Sequence, residues 1–106
     1  MEAWNHASKI EQDVYYTLKE VIDPELAVNI IDLGLIYSIE FLNEKGIEVV
    51  MTLSSKGCPM GDVIMDAIRN VIAEKFPEHK LNLELVWEPV WTTDMVTNDG
   101  RKELGM

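Results

Sequence analysis

Two alternating runs joined by a tight turn, then a cysteine-bearing loop and a long helical stripe, limit what this chain can become. Leu35, Tyr37, Ile39 and Phe41 alternate with Ile36, Ser38, Glu40 and Leu42. Ile47, Val49, Met51 and Leu53 alternate in the same way with Glu48, Val50, Thr52 and Ser54. A period of two marks a strand with two unlike faces. Asn43-Glu44-Lys45-Gly46 between the runs is hairpin chemistry, with Gly46 available for a positive φ, so the strands should pair antiparallel. After Pro59, Val63, Ile64, Ala67, Ile68, Val71, Ile72 and Phe76 recur at helical spacing until Pro77 stops the pattern. Leu81, Leu83, Leu85 and Trp87 then alternate with Asn82, Glu84, Val86 and Glu88 as a third strand. Pro89 marks where Trp87-Glu88-Pro89-Val90-Trp91 leaves the sheet, because proline cannot donate to a ladder.

The chain opens with another helical stripe, Ala7, Ile10, Val14, Leu18 and Val21, with Ser8 and Glu11 at capping-box spacing. Pro24 disfavours helix at Asp23, so this helix is expected over about 7–22. Asp23-Pro24-Glu25 then reads as a helix exit, a turn with two solvated acids. In the apolar connection 26–34, Asp32 needs a hydrogen-bond partner if buried, and Gly34 signals a bend or a close backbone approach. The order helix, strand, strand, helix, strand, tail predicts an α+β fold: a small three-stranded sheet with two helices on one face, in one domain over 1–106. Strand three should run parallel to strand two, with strand one in the centre. The tail could hold a short helix, broken at Asn98-Asp99-Gly100.

Composition removes several function classes. Hydrophobic residues make up 47% of 106, enough for a core. The net charge of −10 and nine scattered basic residues argue against a nucleic-acid partner. No apolar run suits a membrane span, and no signal-peptide pattern opens the chain. A single Cys allows no internal disulfide and fits a cytoplasmic protein. There is no Gly-rich phosphate loop, and His6 and His79 show no ligand spacing with the cysteine.

That cysteine is the chemical centre of the sequence. In Ser54-Ser55-Lys56-Gly57-Cys58-Pro59-Met60-Gly61 it stands between the strongest strand and the strongest helix. Pro59 at a first helical position would place Cys58 at the N-cap, where unpaired N–H groups and the helix dipole favour a thiolate. The plainer reading is a small buried hydrophobe. Thr52, at the end of strand two, and the acids Asp23 and Glu25 can reach the same sheet edge. Such a group could contact a metal, with sulfur as the ligand soft metals select. One thiolate is too few for a cluster held by four, so any cluster would be shared with a second chain, a client or a small thiol. Transfer would then be easier than storage.

Asp23-Pro24-Glu25, then Ile31-Asp32-Leu33-Gly34-Leu35-Ile36-Tyr37, then Thr52 followed by Gly57-Cys58-Pro59, and finally Trp87-Glu88-Pro89-Val90-Trp91 form a set in order. The set resembles the SufT/PaaD-type family of iron–sulfur (metal–sulfur) cluster assembly domains, in its stand-alone prokaryotic form, over nearly the whole chain. The resemblance implies the same α+β fold and a non-enzymatic accessory role in maturing iron–sulfur proteins. It implies that Cys58 is the functional residue and a transient metal contact, with Asp23, Pro24, Glu25, Thr52, Gly57 and Pro59 supporting it. Asp23 and Glu25 would orient the loop or supply oxygen ligands, and Thr52 would hydrogen-bond near the thiolate. Trp87 and Trp91 would wall the site, form a client surface or pack the core. Expected partners are the assembly machinery and client apoproteins, with no cluster held stably. A homodimer would relieve the shortage of sulfur, although the sequence carries no interface signature. Members serving phenylacetyl-CoA oxygenation carry an added cysteine-rich part, and some relatives are fused to a nucleotide-binding carrier domain; neither is found in this sequence. Two rival functions use the same residues: a thiol or persulfide exchange enzyme with Cys58 as nucleophile, and a structural adaptor in which Cys58 is inert.

Overall fold

The computed structural model describes residues 9–42, 45–54, 56 and 60–105. Its elements run α1 (Lys9–Leu18), β1 (Ile36–Phe41), β2 (Gly46–Met51), α2 (Gly61–Lys75), β3 (Lys80–Leu85), a 3₁₀ turn (Thr93–Met95) and α3 (Asn98–Leu104). The fold is α+β, and α1 and α2 pack on each other and on the sheet. Their apolar stripes bury Val14, Leu18, Ile64, Ile68 and Ile72 against Ile47, Val49 and Met51 of β2. Val63, grouped with that stripe by spacing, is instead half exposed beside the start of α2. Among the described residues no helix is long and apolar enough to cross a membrane.

β1 pairs antiparallel with β2, and β3 pairs parallel with β2, as the patterns require. The order is β1-β2-β3, so β2 is central rather than β1. The β2–α2–β3 crossover lays β3 on the open side of β2, and the hairpin has already placed β1 on the other. The outer edge of β1 is partly closed as well, since the Phe41 N–H donates to Glu11 Oε2 at 3.2 Å.

Strict alternation fails at one point in β1. Ile36 stands opposite Met51 and Ser38 opposite Val50, so Tyr37 is the extra residue of a β-bulge. The bulge puts Ile36 and Ile39, three apart, both into the core and re-aims Tyr37.

The first helix is shorter than its stripe. The N–H groups of Lys19, Glu20 and Val21 bond three residues back, to Tyr16, Thr17 and Leu18, at 3.2, 3.0 and 3.1 Å. This tightened last turn frees residues 21–23 for a small antiparallel pairing, with Ile30 N–H on Val21 O and Asp23 N–H on Val28 O, both at 3.0 Å. Ser8 and the hairpin residues Asn43 and Glu44 lie outside the described residues.

The tail folds into α3, and Asn98-Asp99-Gly100 begins that helix instead of breaking it. Thr97 is its N-cap, its Oγ1 accepting the Gly100 N–H at 3.0 Å. Gly100 is required by packing: a Cβ there would lie 2.8 Å from Asp32 O and from Val96 Cγ1. Gly34 has φ +78°, and a Cβ there would collide with the Met95 carbonyl, so both the expected bend and the expected close approach occur.

Candidate functional site

The loop between α1 and β1 is built on its two aspartates. Asp23 is 1% exposed, so it is not a solvated acid. Its Oδ1 accepts the N–H groups of Glu25 at 2.8 Å and Leu26 at 3.2 Å. Its carbonyl accepts the Ala27 N–H at 2.7 Å, with Ala27 at φ +60°. Asp23 therefore shapes the turn that displays Pro24 and Glu25, both exposed. Asp32 accepts from Asn29 Nδ2 at 2.7 Å and from Thr97 Oγ1 at 2.9 Å, while its carbonyl takes the Thr97 N–H at 2.8 Å. The partners the sequence demanded for it are thus one neighbour in its own loop and one in the tail.

Thr52 follows β2, and its N–H bonds Leu35 O at 2.8 Å. Leu35 in turn bonds Ile30 and Ile30 bonds Val21, so Thr52 and the Asp23 turn hang on one run of backbone hydrogen bonds. Thr52 is 1% exposed, and its Oγ1 has no hydrogen-bond partner among the described residues. Above it lies the tail. The Tyr37 hydroxyl donates to Pro89 O at 2.7 Å and approaches Met95 Sδ at 3.6 Å. Burial pushes the Tyr37 phenol above its ordinary pKa; the Thr52 hydroxyl, close by but outside bonding geometry, opposes the shift, and the Glu88 carboxylate adds to it.

Trp91 donates Nε1–H to Leu33 O at 2.7 Å, tying the tail to the α1–β1 loop. Trp87 and Trp91 both pack against the core, and with Leu53, Ser54, Lys56 and Val90 they line a cavity of about 100 Å³. Lys56 Nζ sits 5.6 Å from the Trp87 ring centroid, within cation–π range. The two tryptophans thus combine core packing with walling of a small cavity beside the loop that carries the cysteine.

Gly57, Cys58 and Pro59 lie outside the described residues. The helix after them opens at Gly61 with Met60 as N-cap, and no side chain caps it. The N-cap is therefore two residues after Cys58, the position that Pro59 suggested for it, and the first helical residue is Gly61 rather than Pro59. Among the described residues no three His, Cys, Asp or Glu side chains gather as a metal site.

Sequence reasoning passed over Tyr37, Asn29 and Thr97. Thr97 had a readable signal, a threonine three residues before the glycine whose N–H it accepts. The bulge at Tyr37 had none, because Tyr37 fits the alternation that it interrupts.

The sequence profile of the family described as iron–sulfur cluster assembly protein matches residues 11–81. A relative from Staphylococcus aureus, named the Fe–S protein maturation auxiliary factor SufT, is 42% identical over 86 residues, covering 81% of this chain and 98% of its own. One from Bacillus subtilis, named the Fe–S protein maturation auxiliary factor YitW, is 35% identical over 99 residues, covering 92% and 95%. The crystal structure of a domain of unknown function, DUF59, from Bacillus anthracis superposes with a TM-score of 0.86 at 33% identity, covering 91% of this chain and 92% of that one. With its sheet order, its Asp-Pro-Glu turn and its strand–loop–helix unit in place, this chain belongs to the iron–sulfur cluster assembly protein family.

Proposed function

We propose that this protein is a non-enzymatic accessory factor that helps assemble iron–sulfur clusters or deliver them to client proteins, with Cys58 as a transient contact for cluster or sulfur. The cluster is cargo, and its remaining ligands come from the client or the assembly machinery. The names of the relatives support the pathway. The observation that carries the site is Thr52: a hydroxyl 1% exposed and without a partner among the described residues, six residues before Cys58, at the carboxyl end of the central strand. A buried polar group left unsatisfied costs stability, and its retention calls for a bound state that uses it. Asp23 fixes the neighbouring turn, and Trp87, Trp91 and Lys56 form the wall.

Complementation tests this reading. In cells lacking the factor, the wild-type chain restores the activity of cluster-dependent enzymes. Cys58→Ser folds normally, as judged by circular dichroism, and does not restore it. Full restoration by Cys58→Ser would remove the cysteine from the function.

A further inference from the structure

The two edges of the sheet differ. On β1 the outward Phe41 N–H is taken by Glu11. On β3 the N–H groups of Lys80 and, just beyond the strand, Val86 bond to Lys45 O and Met51 O on the β2 side, at 2.6 and 2.8 Å. Residues in a strand alternate in the side to which their backbone groups point. The groups of Leu81 and Leu83 therefore point away from β2, and among the described residues no element flanks β3 on that side. These leucines are half-buried, and they line an open groove of about 440 Å³ with Arg69, Ile72, Ala73 and His79.

We propose that a second copy of this chain adds to this edge, β3 against β3, antiparallel about a two-fold axis at Asn82. Only residues with outward backbone groups can exchange ladder bonds, which leaves registers that pair odd residues with odd. Centring on Asn82 pairs Leu81 with Leu83 of the second copy in the hydrogen-bonded positions. Lys80 then falls opposite Glu84 of the second copy, twice, in the closer non-hydrogen-bonded positions. Lys80, Asn82 and Glu84 are all exposed, so the charges meet on the open face while the leucines meet over the groove. The adjacent register, centred on Leu83, would set Lys80 against Val86 and Asn82 against Glu84 and gains no charge pair. β2 and β3 are parallel, so both end at the edge that leads to the cysteine loop. In the antiparallel pair those ends lie about 20 Å apart, at roughly 3.3 Å per residue from the axis. This dimer therefore carries two separate sites and does not join two Cys58 thiols. It stands independently of the cluster reading.

Sedimentation equilibrium of the full chain up to millimolar concentration tests it. The wild-type mass rises from 12.1 kDa toward twice that value. Lys80→Glu and Glu84→Lys each weaken self-association about tenfold, since each turns two attractive pairs repulsive, and the double variant restores it. Thermal melting checks that all three fold. A monomer at every concentration, a dimer indifferent to the single changes, or a double variant that fails to recover would each overturn the proposal.

Discussion

Asp32 and Thr52 are both polar side chains set among apolar neighbours, and the fold treats them in opposite ways. Asp32 has a partner for each carboxylate oxygen, one in its own loop and one in the tail. Thr52 is the more deeply buried of the two, and its hydroxyl has no hydrogen-bond partner among the described residues. A satisfied buried group is scaffold, because its hydrogen bonds repay its desolvation. An unsatisfied one is a standing cost that the scaffold tolerates. The pair separates a polar group that helps hold this protein together from one that does not.

Stability measurements on single variants test that contrast. Asp32→Ala should have the largest effect. It strands the Asn29 amide and the Thr97 hydroxyl and loosens α3, for a loss of about 3 kcal/mol by urea unfolding. Thr97→Val alone loses less, and the double variant loses less than the sum of the two. A loss below about 1 kcal/mol for Asp32→Ala would show that the tail is held by something else. Thr52→Val should act in the other direction. The isosteric methyl removes an unbonded hydroxyl and raises stability by about 1 kcal/mol, while client maturation in the complementation assay falls. A destabilised Thr52→Val would mean that the hydroxyl already has a partner, and the contrast would collapse.

The smallest effect is a pH dependence. Burial raises the folded-state pKa of Tyr37 and of Tyr15, the latter with help from the nearby Asp32 carboxylate. A raised folded pKa leaves stability intact below the unfolded phenol value, about 10. Stability then falls as pH rises from there toward the folded values, because the unfolded chain gives up its protons first. Melting temperatures followed from neutral to alkaline pH should show this loss, and Tyr37→Phe should reduce it. An unchanged alkaline slope in Tyr37→Phe would place the effect on Tyr15 alone.

Much of the fold was legible because its signals are local. The 2.0 and 3.6 periods, Pro24, Pro77 and Pro89, and the glycine at the bend each act within a few residues. What escaped was decided by contacts distant in the chain. β2 rather than β1 is central because a crossover selects the free side of a hairpin. Gly100 sits in a helix because Asp32 O occupies the place of a Cβ, a reason no window around residue 100 contains. In the site, Asp23 looked like a solvated acid because Asp-Pro-Glu is polar in composition. Its burial follows from the backbone N–H groups that turn toward it. The helix start two residues after Pro59 shows that a favourable first-position proline permits a helix without starting one.

The bond from Thr97 to Asp32 spans 65 residues of chain, and that from Trp91 to Leu33 spans 58. A ribosome releases these partners far apart in time. Asp32 and Leu33 emerge first, and the Thr97 and Trp91 that bond them follow 65 and 58 residues later. A nascent chain can form its hairpin and α2 while the surroundings of Thr52 are still open. Contacts of such long range are also the slow ones to close. A nascent chain that stops short of Trp91 therefore holds the α1–β1 loop without either of the two side-chain bonds that tie it to the tail.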